Sequence, residues 1–182
     1  MPPGEETVTT RAGFEQLMFE EWAKGRLRFT DVAAAQKKLP FALKMPDPSL
    51  VASPAMIYVR KASKIAPAEA HIIFGPEPSE AVQLIAVRSR RREDFEALVA
   101  QDEADHASGL ARSDKKWQLM RVNGNEAIGI EPGVNNGAPI RWHDRPGVIR
   151  WRDGDTVYVL YGTKGQDGTP LAELLKIAES MY

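Results

Sequence analysis

The chain contains no cysteine. That absence removes disulfides, thiolate zinc sites, iron–sulfur clusters and cysteine nucleophiles together. It leaves the compartment open, because 182 residues bury enough surface to fold without a covalent staple. Long apolar runs are missing as well: nothing approaches the ~18 consecutive apolar residues of a membrane span. The opening Met1-Pro2-Pro3-Gly4-Glu5-Glu6 has neither the basic start nor the apolar stretch of a signal peptide. A dominant charge is also lacking, since 24 basic and 25 acidic residues leave a net charge of −1. The balance gives no electrostatic footprint for nucleic acid and no strong attraction to an anionic membrane surface. No repeat of fixed period and no low-complexity segment occurs.

What is present is an ordinary globular composition, with 43% hydrophobic and 27% charged residues. The expectation is a flexible lead over residues 1–12 and one α+β domain over 13–182. Phe14, Leu17, Met18 and Trp22 fall on one helical face, with Glu15, Glu20, Glu21 and Lys24 opposite and Gly25 as the stop. A short alanine-rich helix follows from Val32 to Leu39, capped by Thr30 or Asp31 and closed by Pro40. The period then changes to that of strands: Phe41–Met45, Ala55–Ala62, Ala70–Phe74 and Ala81–Arg88. The short links between the last three favour antiparallel neighbours, because parallel pairs need long crossovers.

Residues 91 to 106 interrupt the sheet pattern with a helix or irregular excursion, ending near Gly109. Strands resume at Trp117–Val122 and Asn125–Ile130 around Asn123-Gly124, a strong hairpin signal. Pro139–His143, Val148–Arg152 and Thr156–Tyr161 are three more, the last two joined at Asp153-Gly154. Thr169 and Pro170 open a final helix whose stripe is Leu171, Leu174, Leu175 and Ala178. Strands in runs, rather than alternating with helices, give the α+β class. The fold expected is a curved antiparallel sheet packed against a C-terminal helix and one or two N-terminal helices.

Two groups stand out as candidate sites. Arg88, Arg90, Arg91 and Arg92 form the densest positive run, suited to an anion or an acidic partner because guanidinium forks match oxyanions. The plainer reading is a solvated strand end, with Glu93 and Asp94 following directly. Trp117, Trp142, Trp151, Tyr158 and Tyr161 gather in the strand-rich end and would line a ligand-binding groove if one sheet face is left open. The plainer reading is core.

Other clusters carry less. Asp102, Glu103, Asp105 and His106 do not follow the ligand spacing of a calcium loop. His71, His106 and His143 are too scattered for a zinc motif. A triad drawn from His143, Asp144 and Ser108 or Ser113 has no nucleophile elbow behind it. The glycines around Gly162-Thr163-Lys164-Gly165 have the wrong order for a phosphate loop. No catalytic residue, metal or cofactor is therefore assigned.

The last third carries a resemblance. A hairpin at Val122-Asn123-Gly124-Asn125-Glu126-Ala127 leads to the tryptophan strand Val148-Ile149-Arg150-Trp151-Arg152-Asp153-Gly154. The tyrosine strand Val157-Tyr158-Val159-Leu160-Tyr161-Gly162 and the helix from Leu171 to Ser180 then follow. Together with Ala35-Gln36-Lys37-Lys38-Leu39-Pro40-Phe41, these resemble the DUF4367 domains of bacteria, over about residues 31–182. Such domains lie outside the cytoplasm, after a membrane helix or lipoprotein signal, and some occur in anti-sigma-factor-like proteins. More distantly they are similar to the half-barrels of lipoprotein carriers.

The resemblance implies a non-enzymatic, extracytoplasmic sensory or binding domain of a membrane-associated bacterial protein. The membrane would be reached only through a segment outside this sequence, and the partner would be a protein or a small apolar ligand. One alternative is a carrier holding a lipid or other apolar ligand on the concave sheet. A second is a hydrolase built on His143 and Asp144.

Overall fold

Apolar strands joined by short links have one economical arrangement, in which each lies antiparallel beside the last. The computed structural model, which describes residues 20–75, 82–133, 146–162 and 168–182, shows that arrangement made twice. The first half comprises β1 (Leu27–Phe29), α1 (Val32–Gln36), β2 (Pro54–Arg60), β3 (Glu69–Phe74) and β4 (Val82–Arg88). After α2 (Phe95–Ser108) the second half runs β5 (Gln118–Val122), β6 (Asn125–Ile130), β7 (Gly147–Asp153) and β8 (Thr156–Gly162), and α3 (Leu171–Glu179) ends it. The eight strands form one open antiparallel sheet in the order β1-β2-β3-β4-β8-β7-β6-β5. The α+β class expected from the strand runs is the observed one.

The two sheet faces have different cover. Ile57, Val59, Ile72, Leu84, Ile149, Trp151, Tyr158 and Leu160 point to one side, against Ala35 of α1 and Leu171, Leu174, Ile177 and Ala178 of α3. Leu174 and Ile177 are fully buried, and each such side chain contributes roughly 1.5–3 kcal/mol. The opposite face carries Tyr58, His71, Gln83 and Tyr161. Residues 20–23 form a helical turn whose Trp22 packs there, with Gly25 (φ +79°) ending the turn. The expected helical face at Phe14, Leu17 and Met18 lies outside the described residues, as do the lead over 1–12 and the strand at 139–143.

Several local expectations are corrected. Phe41–Met45 is not a strand. The Gln36 side chain takes the place of a ladder partner, its Nε2 donating to Phe41 O at 2.7 Å and its Oε1 accepting from Leu43 N at 2.7 Å. Met45 exchanges backbone hydrogen bonds with Tyr182. Strand β1 escaped the sequence reading because three residues are too few to show a period. In the β7–β8 hairpin Asp153 pairs with Thr156, so the turn is Gly154-Asp155 rather than Asp153-Gly154.

Thr169 does not cap α3. Pro170 occupies the N-cap with no side-chain bond, and the first amide, Leu171 N, donates to Glu131 Oε2 at 3.0 Å. Thr169 instead crosses the end of the sheet, over the cross-strand pair Gly147 and Gly162. A Cβ on Gly147 would lie 2.2 Å from Thr169 O, and one on Gly162 would lie 2.0 Å from Thr169 Oγ1.

The blocking atom at Gly147 is backbone and cannot rotate away. Gly147→Ala is therefore expected to destabilise the domain by about 1–3 kcal/mol, the usual cost of overpacking. Urea unfolding should show a lower midpoint at unchanged slope.

Candidate functional site

The strongest polar concentration lies on the sheet face under Trp22. His71 and Gln83 interrupt strands that are otherwise apolar, and both are buried, His71 at 6% exposure. Gln83 stands directly across from Tyr161 in the β4·β8 ladder, and His71 on β3 is diagonal to it. This register brings the three side chains together. Gln83 Oε1 lies 2.6 Å from His71 Nε2 and accepts from the Tyr161 hydroxyl at 2.8 Å, and the hydroxyl is 3.2 Å from His71 Nε2. Because that oxygen only accepts, His71 carries its proton on Nε2. Among the described residues its Nδ1 is buried with no hydrogen-bond partner.

Trp22 covers this cluster. Its ring meets His71 edge-on at 4.6 Å and Tyr58 at 5.3 Å between centroids. The Arg26 guanidinium lies 4.0 Å from the Trp22 ring centre and donates to Trp22 O at 2.6 Å. The same arginine reaches Glu69 at 3.2 Å, and Arg60 holds the other Glu69 oxygen at 2.8 Å. Burial pushes the His71 pKa below its ordinary value of 6.5, against the opposing effects of the Gln83 hydrogen bond and the Glu69 charge. Burial also raises the Tyr161 hydroxyl, with Glu69 adding to the effect.

The five aromatics expected to share a groove do not share a face. Trp151 and Tyr158 stack at 5.3 Å in the core beneath α3, both nearly inaccessible. Tyr161 points to the other side, into the His71 cluster. Trp117 stands half-buried before β5, its amide donating to Asp102 Oδ2 at 2.8 Å. Trp142 lies outside the described residues, as do His143 and Asp144.

The arginine run is divided. Arg88 closes β4 and donates to Pro40 O at 2.9 Å. Arg90, Arg91 and Arg92 stand exposed on the link to α2, and among the described residues their side chains have no hydrogen-bond or ion-pair partner. The link is braced from beneath by Arg152, which donates to Arg91 O at 2.7 Å, to Gly154 O at 2.9 Å and to Ser89 O. The acids that follow are engaged elsewhere. Glu93 pairs with Arg150 through both carboxylate oxygens, and Asp94 caps α2 by accepting from Ala97 N at 3.0 Å.

Asp102 and Asp105 of α2 have structural roles as well. Asp105 accepts from Gln101, and His106 Nε2 lies 3.1 Å from Lys115 O. The Ser108 hydroxyl donates back to Ala104 O of its own helix. Among the described residues no cluster of three side chains suited to a metal ion occurs, and no helix is long and apolar enough to cross a membrane.

No family model matches the chain, and no curated protein or solved structure does either.

Sequence reasoning missed the His71–Gln83–Tyr161 cluster. The signal was one polar residue in each of two apolar strands, AHIIF and VQLIAV. A buried polar residue implies a partner, but the partner's identity depends on register.

Gln83 Oε1 is the acceptor of the two shorter bonds, at 2.6 and 2.8 Å, whereas Tyr161 donates one of them and otherwise makes only the longer 3.2 Å contact with His71. Gln83→Leu is thus expected to cost about 2–3 kcal/mol and Tyr161→Phe about 1 kcal/mol. Chemical denaturation of the two variants checks the order.

Proposed function

We propose that the chain is a non-enzymatic binding or sensory domain that engages an acidic protein partner through Arg90, Arg91 and Arg92, with Arg88 at the margin. The observation that carries this reading is three exposed guanidinium groups, without a hydrogen-bond or ion-pair partner among the described residues, on a link whose backbone Arg152 holds in place. Here Glu93 and Asp94 serve Arg150 and the start of α2, so the positive charge stays available. Guanidinium forks presented from a preorganised backbone lose less freedom on meeting carboxylates than those on a loose loop.

The side chains of Ser108, Asp102 and His106 are engaged in hydrogen bonds within the fold, which favours binding over catalysis among the described residues. The likeness of the last third to DUF4367 domains supports an extracytoplasmic, membrane-associated setting.

Isothermal titration of the chain with a polyglutamate peptide at low salt tests the reading. The expected result is salt-sensitive binding that falls at least about tenfold in Arg90→Ala/Arg91→Ala/Arg92→Ala, a loss of ~1.4 kcal/mol. Equal affinity in the folded triple variant would refute it.

A further inference from the structure

We infer that His71 is a proton-operated latch: protonation of its Nδ1 releases the Trp22-bearing segment, residues 20–26, from the sheet. The inference goes beyond the arginine link and stands on other residues. In the neutral state His71 Nε2 donates to Gln83, and Nδ1 is left bare in a buried place. A proton added at Nδ1 creates a charged donor for which the described residues offer no hydrogen-bond partner. Both Glu69 oxygens are held by Arg26 and Arg60, and Gln83 Oε1 already serves His71 and Tyr161.

The titratable and charged groups facing His71 are Glu69 on its own strand, Tyr58 and Arg60 on β2, Tyr161 on β8 and Arg26 from the covering segment. Gln83 on β4 is neutral. Glu21 and Lys24 pair with each other at the surface, and Glu20 is exposed. One carboxylate thus already balances two guanidinium groups. An imidazolium would be a third cation in the same place, with its desolvation uncompensated.

The covering segment is the part able to yield. His71 is fixed in β3 by pairing on both sides, with Tyr58 and with Ile85. Trp22 rests on it through ring contacts, the short turn behind it is closed by local bonds from Lys24 N and Arg26 N, and the Arg26–Glu69 ion pair is the one tether of this segment to β3 that opening must loosen among the described ion pairs. Lifting Trp22 lets water reach Nδ1 while leaving the ladders intact.

The sign follows from burial, which holds the closed-state His71 below its ordinary value of 6.5. Closure is fully favoured above that value and is lost as pH falls toward and through the lower, closed-state value. Within that window each pH unit moves the equilibrium toward the open form by up to about tenfold.

Nuclear magnetic resonance of the full chain tests the latch, following the His71 ring nitrogens, the Trp22 indole and the amides of residues 20–26 from about pH 7.5 to about pH 4.5. The expected result is the Nε2–H tautomer at neutral pH and titration below the ordinary histidine value. The Trp22 indole should become solvent-exposed in step, with amide protection over 20–26 falling up to about tenfold per pH unit. His71→Phe keeps an aromatic ring without the proton and should hold Trp22 closed throughout. Should that variant fail to fold, the unaltered chain decides the matter. A Trp22 indole that stays still while His71 titrates overturns the latch. So does a His71 ring that remains neutral over the whole range, or loss of the entire fold in the same step.

Discussion

Everything in this fold depends on the pairing of β4 with β8. The chain lays down four strands, leaves for the far edge through α2, and lays down four more that approach the first set from the other side. Within the sheet the two meanders are joined along the ladder from Val82↔Gly162 to Arg88↔Thr156. Loop-closure entropy must be met across some 70 residues before that ladder forms, so its strands need strong compensation. They have it: Leu84, Ala86, Tyr158 and Leu160 are buried under α1 and α3, and on the opposite face Gln83 and Tyr161 bond across the seam. A polar pair at the centre of an apolar sheet also specifies register, because a slip of one residue would bury both groups unpaired.

Much of this was legible in the residues, and the limits follow from range. Strands β2, β3, β4, β7 and β8 carry β-branched and aromatic runs bounded by turn residues, so local pattern locates them to within a residue or two. Asn123 and Gly124 adopt φ of +48° and +82°, the left-handed pair that an Asn-Gly hairpin signals. What remained hidden is long-range. The cap of α3 comes from Glu131, forty positions away, while the local candidate Thr169 is used as a wedge over Gly147 and Gly162. Phe41–Met45 has strand composition, yet its backbone bonds to the Gln36 side chain at Phe41 and Leu43 and to Tyr182 at Met45 instead of to a ladder. The aromatic residues share a stretch of sequence, but alternation sends Trp151 and Tyr158 to one side of the sheet and Tyr161 to the other.

The electrostatics divide in a similar way. Balanced composition conceals two unequal environments. Around Trp22 a half-buried Arg26–Glu69–Arg60 triad holds a turn against the sheet, where screening by water is weak. At the β4–α2 link, charge is left unpaired and exposed, which adds little to stability and remains available to a partner. Exposed pairs such as Lys24–Glu21 contribute at most a few tenths of a kcal/mol. Net charge could not have distinguished these uses.

The β4·β8 seam thus makes one cooperative unit of two meanders and assembles the cluster that spans it. Native-state hydrogen exchange under increasing denaturant tests this most directly. Amides of β4 and β8 should exchange only through global unfolding, together with the buried strands on either side, while the edge strands β1 and β5 open locally at lower cost. Separate exchange of the two meanders, with seam amides released before either half unfolds, would contradict it.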